Sequence, residues 1–179
     1  MRHWLALGAA AALAGVAACN SSEQAPPAPE PQAGAPGNAA GNAAAGPADI
    51  AALMHDRHEN YEEIGKAMKG ITEQLKSNNL SLAEVRRHAD LIARYAPQVV
   101  SWFPPGSGPE TGRRTRAKAE IWQDFETFRQ RAQAFEAEAA NFNRVAQTTD
   151  VEGMRAARAE LANACKNCHD RFRGPEIEH

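Results

Sequence analysis

The sequence predicts an all-α fold, an antiparallel up-down-up-down four-helix bundle, on three observations. Beyond residue 48, apolar residues recur at spacings of three and four, which is typical of helices that face a shared core. No segment alternates apolar and polar residues or is rich in β-branched residues, as strands are. Short polar turns at 78–79 and 147–148 require the helices that they join to be antiparallel neighbours.

The first two helices are predicted from their stripes of core-facing residues. The stripe of the first helix consists of Ile50, Leu53, Arg57, Tyr61, Ile64, Met68, Ile71 and Leu75. The stripe of the second helix consists of Leu82, Val85, Ala89, Ile92, Ala96 and Val99. Ser81 and Glu84 form a capping box that begins the second helix. A longer connection, broken by prolines and glycines at 104–108, leads to the third helix.

The third and fourth helices are predicted in the same way. A strict 4-3-4-3 alternation marks the third helix at Ile121, Phe125, Phe128, Ala132, Phe135, Ala139, Phe142 and Ala146. The four phenylalanines of this series are therefore predicted to lie in the core. A second capping box, Thr149 to Glu152, begins the fourth helix. The stripe of that helix consists of Val151, Met154, Leu161, Cys165, Cys168 and Phe172.

Charge and cysteine content exclude several classes of protein. The chain of 179 residues has 20 Lys+Arg and 22 Asp+Glu, a formal net charge of −2. It therefore lacks the basic excess that is typical of nucleic-acid binders. Its length fits one domain with additional segments. Three cysteines, one near the start and two near the end, are too few for a disulfide scaffold and indicate separate chemical roles.

The amino terminus has the pattern of an export signal. Residues 4–18 are apolar, carry no charge and form a run too short to span a membrane comfortably, so residues 1–18 are predicted to be a lipoprotein signal peptide. The run ends in Val-Ala-Ala-Cys, which resembles the bacterial lipobox and predicts lipidation of Cys19. An ordinary cleaved signal is the alternative, because the last residues of the run also satisfy its small-residue rule. Asn20, where Asp would mark the inner membrane, favours a periplasm-facing anchor in the outer membrane.

A tether is predicted between the anchor and the bundle. Residues 19–47, which follow the predicted signal peptide, consist almost wholly of small and polar residues. They include many prolines and no large apolar side chains. Such a segment cannot bury enough surface to offset its ordering entropy, so a disordered linker is predicted. At about 5–6 Å times the square root of its length, the linker holds the domain some 30 Å from the lipid. The bundle is expected over residues 48–179.

Residues 165–169 read Cys-Lys-Asn-Cys-His near the end of the fourth helix. Two thiols three positions apart project from nearly the same face of a helix, so both can add to the vinyl groups of one haem, and the adjacent histidine can reach the iron. We therefore expect one covalent haem c per chain. A zinc half-site lacks a second pair of cysteines, and a thioredoxin-like redox pair lacks its βαβ context. Chance is the remaining alternative.

Arg57 interrupts the apolar stripe of the first helix, and Tyr61 follows one turn later. Burying a guanidinium without a partner is costly, so we expect an anion beside it. A haem propionate would serve as that anion. The alternative is an arginine whose charged head reaches solvent near the start of the helix.

Together these residues resemble class II cytochromes c, and within them the cytochrome c′ group. The resemblance runs from Ile50 to Arg173 and so covers essentially the whole folded part. Besides the haem motif, it rests on Arg57, Ile64-Gly65, Met68, Ile71, Trp102-Phe103-Pro104, Gly106-Ser107-Gly108, Thr115 and Ile121-Trp122. The haem motif occurs in many unrelated c-type cytochromes, but its place near the carboxyl end of a bundle is specific to class II.

The resemblance implies a five-coordinate iron, with His169 as its only protein ligand. It also implies that Arg57 lies beside the propionates, that His58 is a neighbouring haem contact, and that Arg173 is the basic residue near the proximal face. The complete predicted cofactor set is Cys165, Cys168, His169, Arg57, His58, Tyr61, Thr115, Trp122 and Arg173.

Tyr61 departs from the family pattern, because the position four after Arg57 is usually Leu or Met and blocks the sixth coordination site. An aliphatic blocker gives a dry pocket that disfavours O₂ and admits NO or CO by displacement. A phenol has three possible roles. It can pack its ring over the haem, donate a hydrogen bond to a bound ligand, or ligate ferric iron when deprotonated. We favour plain packing.

The function implied by the resemblance is the binding of small gases such as NO and CO, with electron exchange as a further role. The alternatives are a low-spin electron carrier, in which Met54 or Met68 ligates the iron, and a peroxidase-like enzyme with Tyr61 in its distal pocket. A homodimer and a periplasmic redox partner are expected by analogy. His55 and His58, and the basic run at 113–118, are expected to be solvated rather than functional.

Overall fold

The computed structural model describes residues 46–176, and the predicted signal peptide, Cys19 and most of the predicted linker lie outside this range. The α-helices are α1 (Pro47–Lys76), α2 (Leu82–Tyr95), α3 (Glu120–Gln123), α4 (Phe125–Ala146) and α5 (Val151–Phe172). Two 3₁₀ segments, Ala96–Trp102 and Pro109–Thr111, follow α2. Four long helices and a single isolated bridge, between Ala117 and Arg173, confirm the all-α bundle over the described range.

The start of α2 agrees with the sequence in its cap residue, and the start of α5 does not. Ser81 caps α2 by accepting a hydrogen bond from the Glu84 amide at 3.4 Å. The Ser81 amide donates to Gln74 Oε1 at 2.9 Å, so the Glu84 side chain does not complete the predicted capping box. Helix α5 was expected to be capped by Thr149, but Asp150 is the cap, and its Oδ1 accepts from the Gly153 amide at 2.9 Å. A Cβ at Gly153 would lie 2.2 Å from the other carboxylate oxygen of Asp150, so the glycine leaves room for this cap.

The third predicted helix is broken at Asp124. The backbone there has φ −132° and ψ 58°, which are not helical, and the Asp124 side chain caps α4 through the Thr127 amide at 3.3 Å. The break turns Phe125 outward, and this residue is 38% exposed. Its assignment to the core was therefore wrong, because the 4-3-4-3 pattern assumed an unbroken helix. Phe128, Phe135 and Phe142 are buried as predicted.

The core lies mainly along α4, which packs against both α5 and α2, while α1 packs along α2. Helices α1 and α5 touch each other much less. The most deeply buried large apolar side chains are Phe128, Phe142, Ile71, Ile92, Ile121, Met154, Leu161 and Val85. Among residues 46–176, no helix combines the length and apolarity needed to cross a membrane.

Replacing Phe142 by Ala tests this core. We expect the free energy of unfolding to fall by about 3–5 kcal/mol, because the side chain is fully buried and leaves a cavity. The matched control is Phe125→Ala on the same helix, which should lower it by less than about 1 kcal/mol. Urea unfolding of the purified protein, followed by circular dichroism, measures both. Equal losses in the two variants would contradict the break at Asp124.

Candidate haem-binding site

Helix α5 carries both cysteines of the motif on one face. Cys165 and Cys168 are free thiols, half-buried, and pack against the edge of the core. Burial raises the pKa of each thiol to about 11. A redox pair needs a lowered thiol pKa, so this environment disfavours the thioredoxin-like alternative. Two neutral thiols on one helical face suit thioether formation.

His169 follows the second cysteine and lies on the outer side of α5. Within residues 46–176, its imidazole has no hydrogen-bond or ion-pair partner. Partial burial lowers its pKa below the ordinary value, and the positive charges of Arg173 and Arg116 lower it further. The ring is therefore held as neutral imidazole, the form that binds metal ions.

The carboxyl end of α5 is fastened to the basic run at 113–118. The Lys118 amide donates to the Phe172 carbonyl at 3.0 Å, and the Gly174 amide donates to the Arg116 carbonyl at 2.6 Å. Arg116 Nε donates to the Gly174 carbonyl at 3.1 Å, and Lys118 Nζ donates to the Arg171 carbonyl at 2.8 Å. This run was expected to be solvated, but two of its cations hold the end of the helix. Arg113 is exposed, as expected.

Arg57 lies in a socket of neutral oxygens and is only 5% exposed. Its Nη1 donates to the Trp102 carbonyl at 3.1 Å and to Ser107 Oγ at 3.2 Å. Its Nη2 donates to the Ser107 carbonyl at 3.0 Å and to Thr115 Oγ1 at 3.5 Å. The guanidinium also lies 4.6 Å from the centre of the Phe103 ring. No carboxylate of the described range pairs with Arg57, so its charge is hydrogen-bonded but not neutralised by contact.

The socket is built by the connection between α2 and α3. Ser107 is fully buried, and its hydroxyl also donates to the Pro104 carbonyl at 2.8 Å. Trp122 Nε1 donates to the same carbonyl at 3.0 Å. Gly106 has φ 80°, a left-handed conformation that favours glycine, and it turns the chain toward Ser107. A Cβ at Gly108 would lie 2.8 Å from the Trp122 ring, so this close packing also needs glycine.

Tyr61 lies on α1, one turn after Arg57. Its ring packs edge-on against Trp102, with centroids 5.3 Å apart, and lies 6.3 Å from Phe103. Burial raises the pKa of its hydroxyl above the ordinary value, and the thiols of α5 raise it further, while Arg57 opposes them. The tyrosine is therefore a neutral phenol. Its hydroxyl has no hydrogen-bond partner among residues 46–176.

The sequence of this chain matches that of a known protein family. The family model described as cytochrome c′ matches residues 52–173. The chain belongs to the cytochrome c′ family. It is 30% identical over 126 residues to cytochrome c′ of Rhodospirillum rubrum, a match that covers 70% of this chain and 84% of that protein.

Two solved structures show the same fold. One is a cytochrome c′ with ligand-controlled dimer dissociation, which is 27% identical, has a TM-score of 0.65, and is matched over 70% of this chain and 97% of that one. The other is a nitric oxide complex of a variant of cytochrome c′ from Alcaligenes xylosoxidans. It is 23% identical, has a TM-score of 0.63, and is matched over 74% of this chain and 98% of that one.

Cytochrome c′ proteins carry covalently attached haem c, and the residues of this chain fit that group. The two thiols are unpaired, and they lie near enough to the Tyr61 hydroxyl to raise its pKa. Helices α1 and α5, which carry these residues, pack weakly against each other. The neighbouring imidazole is neutral and has no partner in the described range. Among the described residues, no anion contacts the buried charge of Arg57. This donor set would supply two thioethers, one iron ligand and one cation for a carboxylate.

The other residues that were predicted to contact the haem differ in their exposure to solvent. Thr115 is half-buried and accepts a hydrogen bond from Arg57, and Trp122 is half-buried against the socket. Arg173 is exposed beside the end of α5. His58 is exposed on α1, as is His55, and the described residues contain no group of three or more potential metal ligands around them.

Sequence reasoning missed the partners of Arg57. The socket consists of the Trp102 and Ser107 carbonyls and the Ser107 hydroxyl, and nothing in the spacing along the chain pairs these residues with α1. The connection offers only a general signal. Two prolines followed by a serine between two glycines mark a tight polar turn, but nothing in the sequence shows that this serine is buried or pairs with Arg57.

Replacing Arg57 by Met tests the socket. The change leaves two buried carbonyls without their donor, so we expect the free energy of unfolding to fall by at least about 2 kcal/mol. Arg113→Met removes the same charge from an exposed loop position and should change it by about 0.5 kcal/mol or less. Urea unfolding of both haem-loaded variants measures the difference. A loss in Arg57→Met as small as in the control would contradict the socket.

Proposed function

We propose that this cytochrome c′ binds one haem c through thioethers to Cys165 and Cys168, with His169 as the only protein ligand of the iron. The sixth position is left for small gaseous ligands, of which nitric oxide is the first candidate. The observation that carries the proposal is the arrangement on α5, where two free thiols share one face and are followed by a neutral imidazole that has no hydrogen-bond or ion-pair partner in the described range. Bound haem supplies the iron on which gas binding or electron exchange occurs.

Arg57 supports the orientation of the haem. Its side chain is fixed by hydrogen bonds to neutral oxygens, so its position does not depend on the cofactor. A buried positive charge without a contacting anion is unfavourable, and a propionate nearby relieves it. Arg57 therefore binds the carboxylate edge of the haem. Thr115, which contacts the same guanidinium, belongs to this polar edge.

Tyr61 supports gas binding at the distal side. Its ring is held by Trp102, and the thiols of α5 lie near enough to raise the pKa of its hydroxyl, so it acts as a bulky barrier at the sixth position. Burial keeps its hydroxyl protonated, because the pKa is raised above the ordinary value, and a neutral phenol is a poor iron ligand. The hydroxyl lacks a partner in the described range, so it is able to donate to a bound ligand.

A nitric oxide complex in a related cytochrome c′ supports the choice of gas. Methionine ligation is less favoured, because Met54 is buried with its sulfur 3.7 Å from the Thr111 hydroxyl. Met68 packs against the core cluster. The phenol of Tyr61, which has no hydrogen-bond partner among the described residues, favours a second candidate function, a peroxidase-like reaction in which this hydroxyl would donate a hydrogen bond to peroxide.

The location and assembly of the protein are part of the proposal. Residues 1–18 direct export, Cys19 carries the lipid, and the following linker places the bundle on the periplasmic side, with the outer membrane as the favoured site. Ligand-controlled dimer dissociation in a related structure supports a homodimer. A periplasmic redox partner completes the proposal.

Tyr61→Ala tests the gas site. Removing the ring takes away a packed side chain worth about 1.5–3 kcal/mol, so NO should bind the ferrous protein at least about tenfold faster. Tyr95→Ala is the matched control, because Tyr95 packs on the other side of Trp102 with centroids 6.0 Å apart. The control should change the association rate by less than about twofold. Stopped-flow absorption measures both rates.

An unchanged rate in Tyr61→Ala would show that Tyr61 does not line the gas site. A six-coordinate, methionine-ligated spectrum of the unmodified ferrous protein would instead contradict the proposed function itself. Peroxide turnover that falls in Tyr61→Phe and not in Tyr95→Phe identifies the second candidate function.

A further inference from the structure

A cavity lies between the carboxyl half of α1 and the amino half of α5. It has a volume of about 180 Å³ and is lined by Thr72, Leu75, Lys76, Arg155 and Arg158. Arg158 precedes Cys165 by seven positions, about two helical turns, so the two residues lie on one face of α5, and the positive charge of Arg158 lowers the pKa of the Cys165 thiol against the larger effect of burial. None of the residues that line the cavity belongs to the haem motif. Three of its five lining side chains are cationic.

The charges around this cavity are only partly compensated. Arg155 Nη1 lies 3.1 Å from Glu152, whose side chain is 84% exposed at the rim. Arg155 Nε and Nη2 donate to the Leu75 carbonyl at 3.3 and 3.2 Å. Lys76 has no hydrogen-bond or ion-pair partner within residues 46–176. One solvated carboxylate therefore faces three positive charges.

The surroundings of Arg158 show most specifically that positive charge in this cavity is not fully compensated. Its Nη2 donates to Thr72 Oγ1 at 2.9 Å, which aims the guanidinium at α1. Its Nε is buried and has no hydrogen-bond partner, and it is the one buried side-chain nitrogen or oxygen in this state among the described residues. An unsatisfied buried donor costs about 1–3 kcal/mol. Such donors are uncommon in native proteins, and this one leaves the charge of Arg158 only partly compensated.

We propose that this cavity, which we call the α1–α5 cation pocket, binds a small inorganic oxyanion such as phosphate or sulfate. The planar guanidinium of Arg158 matches the geometry of an oxyanion, and Lys76 adds a mobile positive charge from the opposite helix. Arg155 offsets the partial negative charge at the carboxyl end of α1 through its bonds to Leu75. The volume greatly exceeds the ~10–15 Å³ that one water molecule needs.

The pocket has a structural consequence for the bundle. Helices α1 and α5 make few direct contacts, and the pocket joins them near the end opposite to Arg57. An anion held by Arg158 and Lys76 links the two helices and stabilises the folded state by binding to it. This inference does not depend on the proposed gas binding, because neither Tyr61 nor the haem motif contributes to the pocket.

Isothermal titration of inorganic phosphate into the haem-loaded full chain, at low ionic strength, tests the pocket. We expect saturable binding of one phosphate per chain. Lys76→Gln and Arg158→Gln should each raise the Kd at least about tenfold, which corresponds to about 1.4 kcal/mol. Lys69→Gln is the matched control on α1, since Lys69 is 79% exposed and lies outside the pocket. It should change the Kd by less than about twofold.

Several results would overturn the proposal. One is the absence of saturable phosphate binding. Another is an equal rise of the Kd in Lys69→Gln and Lys76→Gln, which would show that only the net charge of the protein matters. A titration with glycerophosphoglycerol, the soluble headgroup of a phospholipid, distinguishes the source of the oxyanion. Tighter binding of this diester than of inorganic phosphate would contradict the assignment to a free oxyanion. Lys76 is exposed, so its variant remains informative if Arg158→Gln fails to fold.

Discussion

The packing of one face of α5 against the core is the constraint on which the site depends. Leu161, Ala164 and Phe172 are buried along that face, so the helix cannot rotate about its axis. Cys165 and Cys168 therefore come to the edge of the core, and His169 points away from it. The bonds from the 113–118 run to the last turn prevent that turn from fraying. A flexible terminus would lose the fixed relation between thiols and imidazole that covalent haem attachment requires.

The second constraint is a buried cation that is held entirely by neutral groups. Arg57 joins α1 to the connection between α2 and α3, because its donors satisfy carbonyls that otherwise have no partner in that connection. Its hydrogen bonds fix the guanidinium, and its charge stays available to a carboxylate. The same residue thus organises the loop and prepares the polar edge of the haem site. Tyr61, one turn later, contacts aromatic residues from this connection. The same connection therefore holds both the Tyr61 ring and the Arg57 guanidinium in place.

Much of this could be predicted from sequence, because helical periodicity and the Cys-x-x-Cys-His spacing are local properties. The phenylalanines at 128, 135 and 142 are buried as their spacing predicts. Phe125 is not, because Asp124 prefers to cap a new helix and the periodicity cannot reveal that break. The socket of Arg57 could not be predicted either, since its acceptors lie 45 to 58 positions away and two are backbone carbonyls. The sequence indicated a buried charge but not the groups that receive it.

Gas binding and the orientation of the haem both require covalent attachment at Cys165 and Cys168, with His169 beside them. Mass spectrometry of peptides from the carboxyl terminus of the mature protein, produced in cells that assemble c-type cytochromes, measures this attachment. The peptide that contains both cysteines should carry the mass of one haem, and the same peptide of the double variant Cys165→Ser, Cys168→Ser should not. A colourless protein whose cysteine peptide has its unmodified mass would rule out attachment at this site.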